Sequence, residues 1–299
     1  MTSSLPDPVH VTFVGIGAIG LPMALRLVEA GIEVTGVDPF EPSRERASAR
    51  GLRVEATPSS AADSDVVICM VATPEQLRDA ALGADGLLAR MVPGSCLIVM
   101  STVGVASIDE LTAAAEGTGI TVLDVPVTGG VAGATTGALT LFGSGDPEAL
   151  DRCAPVLAPL GVLRRCGATA GKGQAMKAVN QLLASVHLAA AAEALAFAET
   201  LGLDPAEALE AVSGGAGGSW MLSDRGPRML QGLDAEVTST IGIFVKDSGL
   251  VCDIARESGF DAPLVAAARS RFLKAADRGL VQRDDSQVIQ TYRDGVGSV

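Results

Sequence analysis

The segment from Val11 to Asp38 leaves the chain little freedom. Val11-Thr-Phe-Val14 is a short apolar run suited to a buried strand. Gly15-Ile16-Gly17-Ala18-Ile19-Gly20 follows it. From Ala18 to Ala30 apolar residues then recur at helical spacing, at Leu21, Ala24, Leu25 and Val28. Pro22 is tolerated because first-turn amides lack intrahelical partners, and Gly31 suits the helix C-cap. Ile32 to Val37 reads as the next strand, and Asp38 ends it. Strand, glycine loop, helix, strand and acid together form the fingerprint of a dinucleotide site. The first glycine permits a tight turn, the second lets the backbone approach a pyrophosphate, and the third lets helix and strand pack closely. Free amides and the dipole at the helix N-terminus favour the phosphates. Ile16, Ala18 and Ile19 fill the loop between the glycines. Asp38 accepts from ribose hydroxyls and repels a 2′-phosphate, which predicts NAD rather than NADP. Arg44, the nearest cation, leaves NADP possible.

The 299 residues suffice for two domains. Apolar residues make up 48% of the chain and aromatics only 3%, so the core is built of Ala, Val and Leu. A net charge of −13 argues against nucleic-acid binding, which rests on basic patches. A small anionic substrate stays possible where cations converge. Cys69, Cys96, Cys153, Cys166 and Cys252 show neither metal spacing nor a disulfide framework. Cys69 and Cys96 lie in apolar runs and read as buried thiols. Met1 to Pro8 is polar, unlike a signal peptide. The apolar runs read as too short or too interrupted to span a bilayer. The expectation is a cytoplasmic protein without membrane or metal.

Strand-like runs at 65–71, 95–100, 121–124, 139–142 and 162–166 alternate with helical patterns at 74–82, at 147–158 and from Ser107, read as a cap, to Glu116. Alternation of this kind predicts a mostly parallel sheet covered by helices, with ligands at the carboxyl ends of strands. From Lys172 to about Leu201 the alanine-rich sequence reads as one long helix. Further helices follow at 205–212 (Asp204 as N-cap), 221–230, 241–257 and 263–278. The expected fold is an α/β Rossmann domain over 1–170 and an all-α domain over 171–299, joined by that long helix.

Lys177 lies one turn into the long helix, with Asn180 and Gln181 on its face and His187 further along the stripe. Trp220 reads as a packing residue, and Arg225 and Arg228 as solvated. Four motifs now stand in order: the glycine loop through Ala24, Asp124-Val-Pro-Val-Thr-Gly-Gly130, Gly171-Lys-Gly-Gln-Ala-Met-Lys177-Ala-Val-Asn180 and Phe244-Val-Lys-Asp247. In order and spacing they resemble the β-hydroxyacid dehydrogenases, which include 3-hydroxyisobutyrate dehydrogenase and the shorter relatives of 6-phosphogluconate dehydrogenase. The resemblance implies oligomers, dimers or tetramers, built through the helical domain. It implies that Lys177 is catalytic and that Thr128, Gly129 and Gly130 form the substrate loop. It places Val71, Ala72, Gln76, Thr102 and Lys246 at the cofactor.

Thr128 stands where the family usually has serine, and Gln181 where it has asparagine. Val179-Asn-Gln-Leu-Leu-Ala-Ser-Val-His187, Ser219-Trp-Met221 and Asp284-Asp-Ser-Gln-Val-Ile289 resemble the L-threonate dehydrogenase branch. The implied reaction is hydride transfer between NAD and a four-carbon sugar acid. Lys177 would take the hydroxyl proton, the Thr128 loop would hold the carboxylate, and Gln181 and His187 would meet the rest of the substrate. A lysine with an ordinary pKa near 10.4 would need desolvation and a neighbouring cation such as Lys246 to serve as base. The alternatives are a 3-hydroxyisobutyrate or semialdehyde enzyme and a catalytically silent dinucleotide-binding protein. Imine reductases share the architecture but usually lack the lysine.

Overall fold

The computed structural model describes residue 5 and residues 9–293. The chain divides into two compact units, Met1–Lys177 and Ala178–Val299.

The first unit contains nine strands: β1 (His10–Val14), β2 (Glu33–Val37), β3 (Arg53–Glu55), β4 (Val66–Cys69), β5 (Cys96–Val99), β6 (Thr121–Asp124), β7 (Val127–Thr128), β8 (Leu139–Ser144) and β9 (Gly161–Gly167). Its helices are α1 (Gly20–Glu29), α2 (Glu41–Ser48), α3 (Pro74–Ala81), α4 (Leu87–Arg90), α5 (Val105–Ala115), α6 (Gly130–Thr136) and α7 (Pro147–Leu157). All nine strands form one sheet, in the order β3-β2-β1-β4-β5-β6-β8-β7, with β9 beside β8. The first six are parallel, and β8 runs antiparallel to β6 and β7. Strand residues alternate between two buried faces. Phe13, Ile68, Ile98 and Leu123 pack with Met23 and Leu27 of α1 and Leu150 of α7. Val14, Val67, Leu97 and Val99 pack with Leu77 of α3 and Leu111 of α5 on the other face. Burial on both faces is why these strands read as continuous apolar runs.

Strand order reverses between β1, which leads toward β2 and β3, and β4, which leads toward β5. That switch point opens a crevice at the carboxyl ends of the strands. The glycine loop leaves β1 there.

Some boundaries differ from the sequence expectation. Helix α1 begins at Gly20 rather than Ala18, and residues 17–19 stay in the loop. Helix α5 begins at Val105, after Gly104 at φ 82. Ser107 therefore lies inside its first turn, where Oγ donates to the Val103 carbonyl at 3.0 Å instead of capping. Helices α2, α4 and α6 and strands β3 and β7 have no counterpart in the sequence expectation. The α2 sequence, EPSRERAS, has only Ser43 and Ala47 buried and shows no apolar stripe.

Helix α8 (Lys172–Thr200) runs from the first unit into the second, followed by α9 (Pro205–Ser213), α10 (Trp220–Leu230), α11 (Ile241–Glu257) and α12 (Pro263–Asp277). Asp204 caps α9 through the amides of Ala206 and Glu207. In the second unit Leu188, Ala192 and Leu195 of α8 pack with Met221, Met229, Phe244, Phe272 and Ile289. Contrary to the sequence reading, α8 is long and apolar enough to cross a membrane by length and composition. Half of its most apolar window is buried in the protein, as in a core helix.

Arg225 and Arg228 are not solvated. The Arg225 guanidinium is buried and donates to Asp285 at 2.9 and 3.0 Å, and it also pairs with Asp224. Arg228 donates to Asp284 at 3.1 Å. These pairs fasten the turn at 285–291 to α10. Burial pushes the Asp285 carboxyl above the usual carboxylate range, and the Arg225 charge opposes that push. Arg225→Met strands a buried carboxylate, so a loss of about 3–5 kcal/mol is expected in urea unfolding. The double change Arg225→Met with Asp285→Leu should recover most of it. A wild-type midpoint for the single variant would contradict the assignment.

Candidate functional site

Two of the three loop glycines are demanded by the protein itself. Gly15 sits at φ +90, and a Cβ there would meet the Met70 carbonyl oxygen at 2.3 Å. A Cβ on Gly20 would meet the Gly15 carbonyl oxygen at 1.9 Å. Gly17 is different. Its φ is not positive, and a Cβ on it would meet nothing within 4 Å. The space above Gly17 is therefore left open by the fold. Ile19 at the α1 N-cap offers no side-chain cap; of the first-turn amides, Leu21 donates to the Gly17 carbonyl at 3.0 Å and Pro22 has no N–H, which leaves that of Gly20.

Asp38, at the end of β2, accepts from the Ile16 amide at 3.2 Å and the Phe40 amide at 2.9 Å. Its carboxylate thus ties the glycine loop to the next strand. Arg44 is turned onto backbone, donating to the carbonyls of Asp38 and Pro39 at 2.8 and 2.7 Å. After β4, the Val71 amide donates to Ser101 Oγ at 2.8 Å, and the Ala72 amide donates to Gln76 Oε1 at 2.8 Å. Thr102 lies half-buried after β5. Residues 15–20, Asp38, Val71, Ala72, Gln76 and Thr102 all lie at the carboxyl-end edge of the parallel strands.

A buried carboxylate that sequence reasoning missed organises the next part. Asp124, at the end of β6, is fully buried. Its Oδ2 accepts from the Gly171 amide at 2.9 Å, the Gln174 amide at 2.9 Å and Ser144 Oγ at 3.0 Å. Its Oδ1 accepts from Gln174 Nε2 at 2.9 Å. Burial pushes this carboxyl above the usual range, and the hydrogen bonds act against that push. The Gln174 side chain also donates to the Ser101 carbonyl at 3.0 Å and accepts from the amides of Val103 and Gly104 at 3.0 and 3.1 Å. Gly173 is required because a Cβ would stand 2.4 Å from the Phe142 carbonyl oxygen. The first turn of α8 is thereby fixed to the ends of β5, β6 and β8. The only sequence signal for this was an acid at a strand end and a Gly-x-Gly-Gln start to a helix.

Lys177 comes three residues after Gln174 and is only 6% exposed. Thr128 ends β7, paired with Thr140 of β8, and is half-buried. Gly129 at φ 127 and Gly130 at φ 63 follow it, values that favour glycine at both positions.

In the second unit a chain of polar groups links α8 to α11. Asn180 Nδ2 donates to Gln181 Oε1 at 2.8 Å, and Gln181 Nε2 donates to Asp247 Oδ2 at 2.6 Å. Lys246 Nζ lies 2.6 Å from Asp247 Oδ1. Gln181 and Asp247 are buried, while His187 is half-buried. Trp220 is 58% exposed, with the Arg225 guanidinium 5.5 Å from its ring centroid, so it is not the interhelical packing residue the sequence suggested. Among the described residues no group of three His, Cys, Asp or Glu side chains is placed to hold a metal ion. All five cysteines are free.

Comparison with known proteins places this geometry. Residues 10–171 match the NAD binding domain of 6-phosphogluconate dehydrogenase. Residues 171–292 match the NAD-binding domain of NADP-dependent 3-hydroxyisobutyrate dehydrogenase. The chain is 38% identical over 285 residues to an L-threonate dehydrogenase of Cupriavidus necator, covering 95% of this chain and 96% of that one. A solved 3-hydroxyisobutyrate dehydrogenase from Salmonella typhimurium is 35% identical with a TM-score of 0.88, covering 94% of this chain and 99% of its own. The Mycobacterium tuberculosis 3-hydroxyisobutyrate dehydrogenase solved with L-serine is 35% identical with a TM-score of 0.82, covering 95% and 99%.

The glycines separate ligand from fold by experiment. Gly17→Ala should melt like wild type yet bind dinucleotide at least about tenfold more weakly, because the methyl group enters the space a phosphate needs. Unchanged affinity in a calorimetric titration would refute that reading. Asp124→Asn can accept at only one oxygen and turns an amide toward fixed donors. A loss of about 2–3 kcal/mol in chemical unfolding is expected.

Proposed function

The chain belongs to the hydroxyacid dehydrogenase family, oxidoreductases that act on CH–OH groups, and from that premise we propose that it is an NAD-dependent dehydrogenase of a four-carbon sugar acid, L-threonate first. The observation that carries this reading is the pairing of an acid at the end of β2 with a buried lysine one turn into α8. Asp38 would hold the ribose hydroxyls, and its charge disfavours a 2′-phosphate. Residues 15–20 would hold the pyrophosphate. Val71, Ala72, Gln76, Thr102 and Lys246 would complete the cofactor contacts. When bound, the nicotinamide supplies the hydride acceptor.

The protein's own part is to hold and deprotonate the substrate. The Thr128 hydroxyl and the amides of Gly129 and Gly130 bind the carboxylate. Lys177 takes the proton of the reacting hydroxyl during oxidation and returns it during reduction. Gln181 and His187 serve the remaining hydroxyls. The L-threonate relative and the carboxamide pair at 180–181 support the substrate choice. The relatives named as 3-hydroxyisobutyrate dehydrogenases, of similar identity, favour that acid as the second reading. The presence of buried Lys177 weighs against a silent dinucleotide-binding protein.

The matched segments meet at residue 171, which supports a Rossmann domain over 1–170 and a helical domain over 171–299. We also infer a homodimer or homotetramer. The exposed Val179, Leu183 and Phe197 of α8, with Leu201 just past its end, recur at helical spacing, a stripe suited to self-association. Five free thiols suit the reducing cytoplasm.

Three measurements test these readings. NADH formation at 340 nm across L-threonate, D-erythronate, 3-hydroxyisobutyrate, D-glycerate and L-serine should be fastest with L-threonate. No turnover of any of them, despite dinucleotide binding, would sink the reading. Lys177→Met should lower kcat by about 10²–10⁴-fold with cofactor affinity retained. Asp38→Ala should lower the NAD-to-NADP ratio of kcat/KM by at least about tenfold, the loss of a charge-assisted hydrogen bond.

A further inference from the structure

The polar chain from Lys246 to Asn180 has a direction, and its end group can be read from it. A carboxylate only accepts hydrogen bonds. Asp247, ion-paired with the Lys246 ammonium at 2.6 Å, therefore receives an N–H from Gln181, and the 2.6 Å contact is Nε2. That turns Gln181 Oε1 the other way. An oxygen facing Asn180 requires a donor, so Asn180 presents Nδ2, at 2.8 Å. The sense of each amide follows from the ion pair at the far end. Among the described residues nothing donates to the remaining Asn180 Oδ1, and Asn180 is half-buried where Gln181 is buried. Asn180 and Lys177 lie at i and i+3 on α8, neighbours on one helical face about 5–6 Å apart at Cβ.

We propose that Asn180 is a substrate-recognising residue whose Oδ1 serves as the acceptor, selecting substrates with a donating hydroxyl beside the carbon that is oxidised. Gln181 and Asp247 are positioning residues that set its sense. This rests on the sugar-acid reading above and deepens it. The recognition credited to Gln181 is delivered through its neighbour. An acceptor at this point rewards a polyhydroxy acid and gives nothing to an acid bearing a methyl group there.

The test compares L-threonate with its 3-deoxy and 4-deoxy analogues on wild type, Asn180→Ala, Gln181→Met, Asp247→Asn and the double variant Asn180→Ala with Gln181→Met. One deoxy analogue should lose about tenfold in wild-type kcat/KM, the effect of one hydrogen bond. Asn180→Ala should lose the same factor on L-threonate, through KM, and nothing further on that analogue. Gln181→Met and Asp247→Asn should raise KM for L-threonate alone, whereas a merely structural role would lower kcat for every substrate. The double variant should equal Asn180→Ala, since both changes break one relay. Additive losses, or an Asn180→Ala variant that treats L-threonate and both analogues as wild type does, would overturn the proposal.

A second readout needs no substrate. NMR of isotope-labelled protein should show coupling across the hydrogen bonds from Asn180 Nδ2 to Gln181 Cδ and from Gln181 Nε2 to Asp247 Cγ. Coupling from Gln181 Nε2 to Asn180 Cγ would reverse the polarity and overturn the proposal. Oxidation of a different hydroxy acid in place of every four-carbon sugar acid would overturn the substrate reading alone, with the direction of coupling still deciding the polarity.

Discussion

The rest of the candidate site depends on one buried carboxylate. Asp124 closes β6 and gathers four hydrogen bonds, three of them from Gly171 and Gln174 at the start of α8. A helix N-terminus has amides without intrahelical partners and carries partial positive charge, so an anion there is stabilised twice. Gln174 extends the attachment to Ser101, Val103 and Gly104 at the end of β5. The result is a helix whose first turn is defined by sheet hydrogen bonds rather than by loop packing. Lys177, one turn later, inherits that precision. A helix rooted in a sheet is a rigid way to hold a side chain in place.

Most of the parallel sheet could be read from apolar runs, because strands buried on both faces carry no polar alternation to confuse the reading. The helices of the second unit were equally clear, with α11 found at 241–257 as expected and α9 capped by Asp204. Elements without an apolar signature were missed. Helix α2 buries only Ser43 and Ala47, and β7 has two residues. The misplacement of α1 by two residues has a physical cause, since residues 17–19 have helical composition but their backbone belongs to the loop.

The site was legible to different depths. Gly15 and Gly20 announce themselves because the fold leaves no room for a Cβ there, and Gly17 and Asp38 because they complete the fingerprint of glycine loop and acid. Asp124 did not, because an acid at a strand end is common and its four hydrogen bonds come from three residues 20 to 50 positions away. Arg225 and Arg228 were misjudged for the same reason. Their acids, Asp284 and Asp285, lie near the end of the described chain, and nothing local reveals the pairing. Long-range charge compensation is the part of this fold that spacing along the chain does not encode.

Helix α8 is unbroken from Lys172 to Thr200. Lys177, Asn180 and Gln181 are therefore carried on one rigid rod, set about 1.5 Å apart per residue and 100° around it. Side chains at 180 and 181 can be exchanged without moving the lysine. A single inserted or deleted residue between them would instead swing the whole polar group to another face. The helix thus accommodates substitution at this site but not a change of length. The carboxamides at 180 and 181 can differ while Lys177 keeps its place, and length changes are tolerated only in the loops.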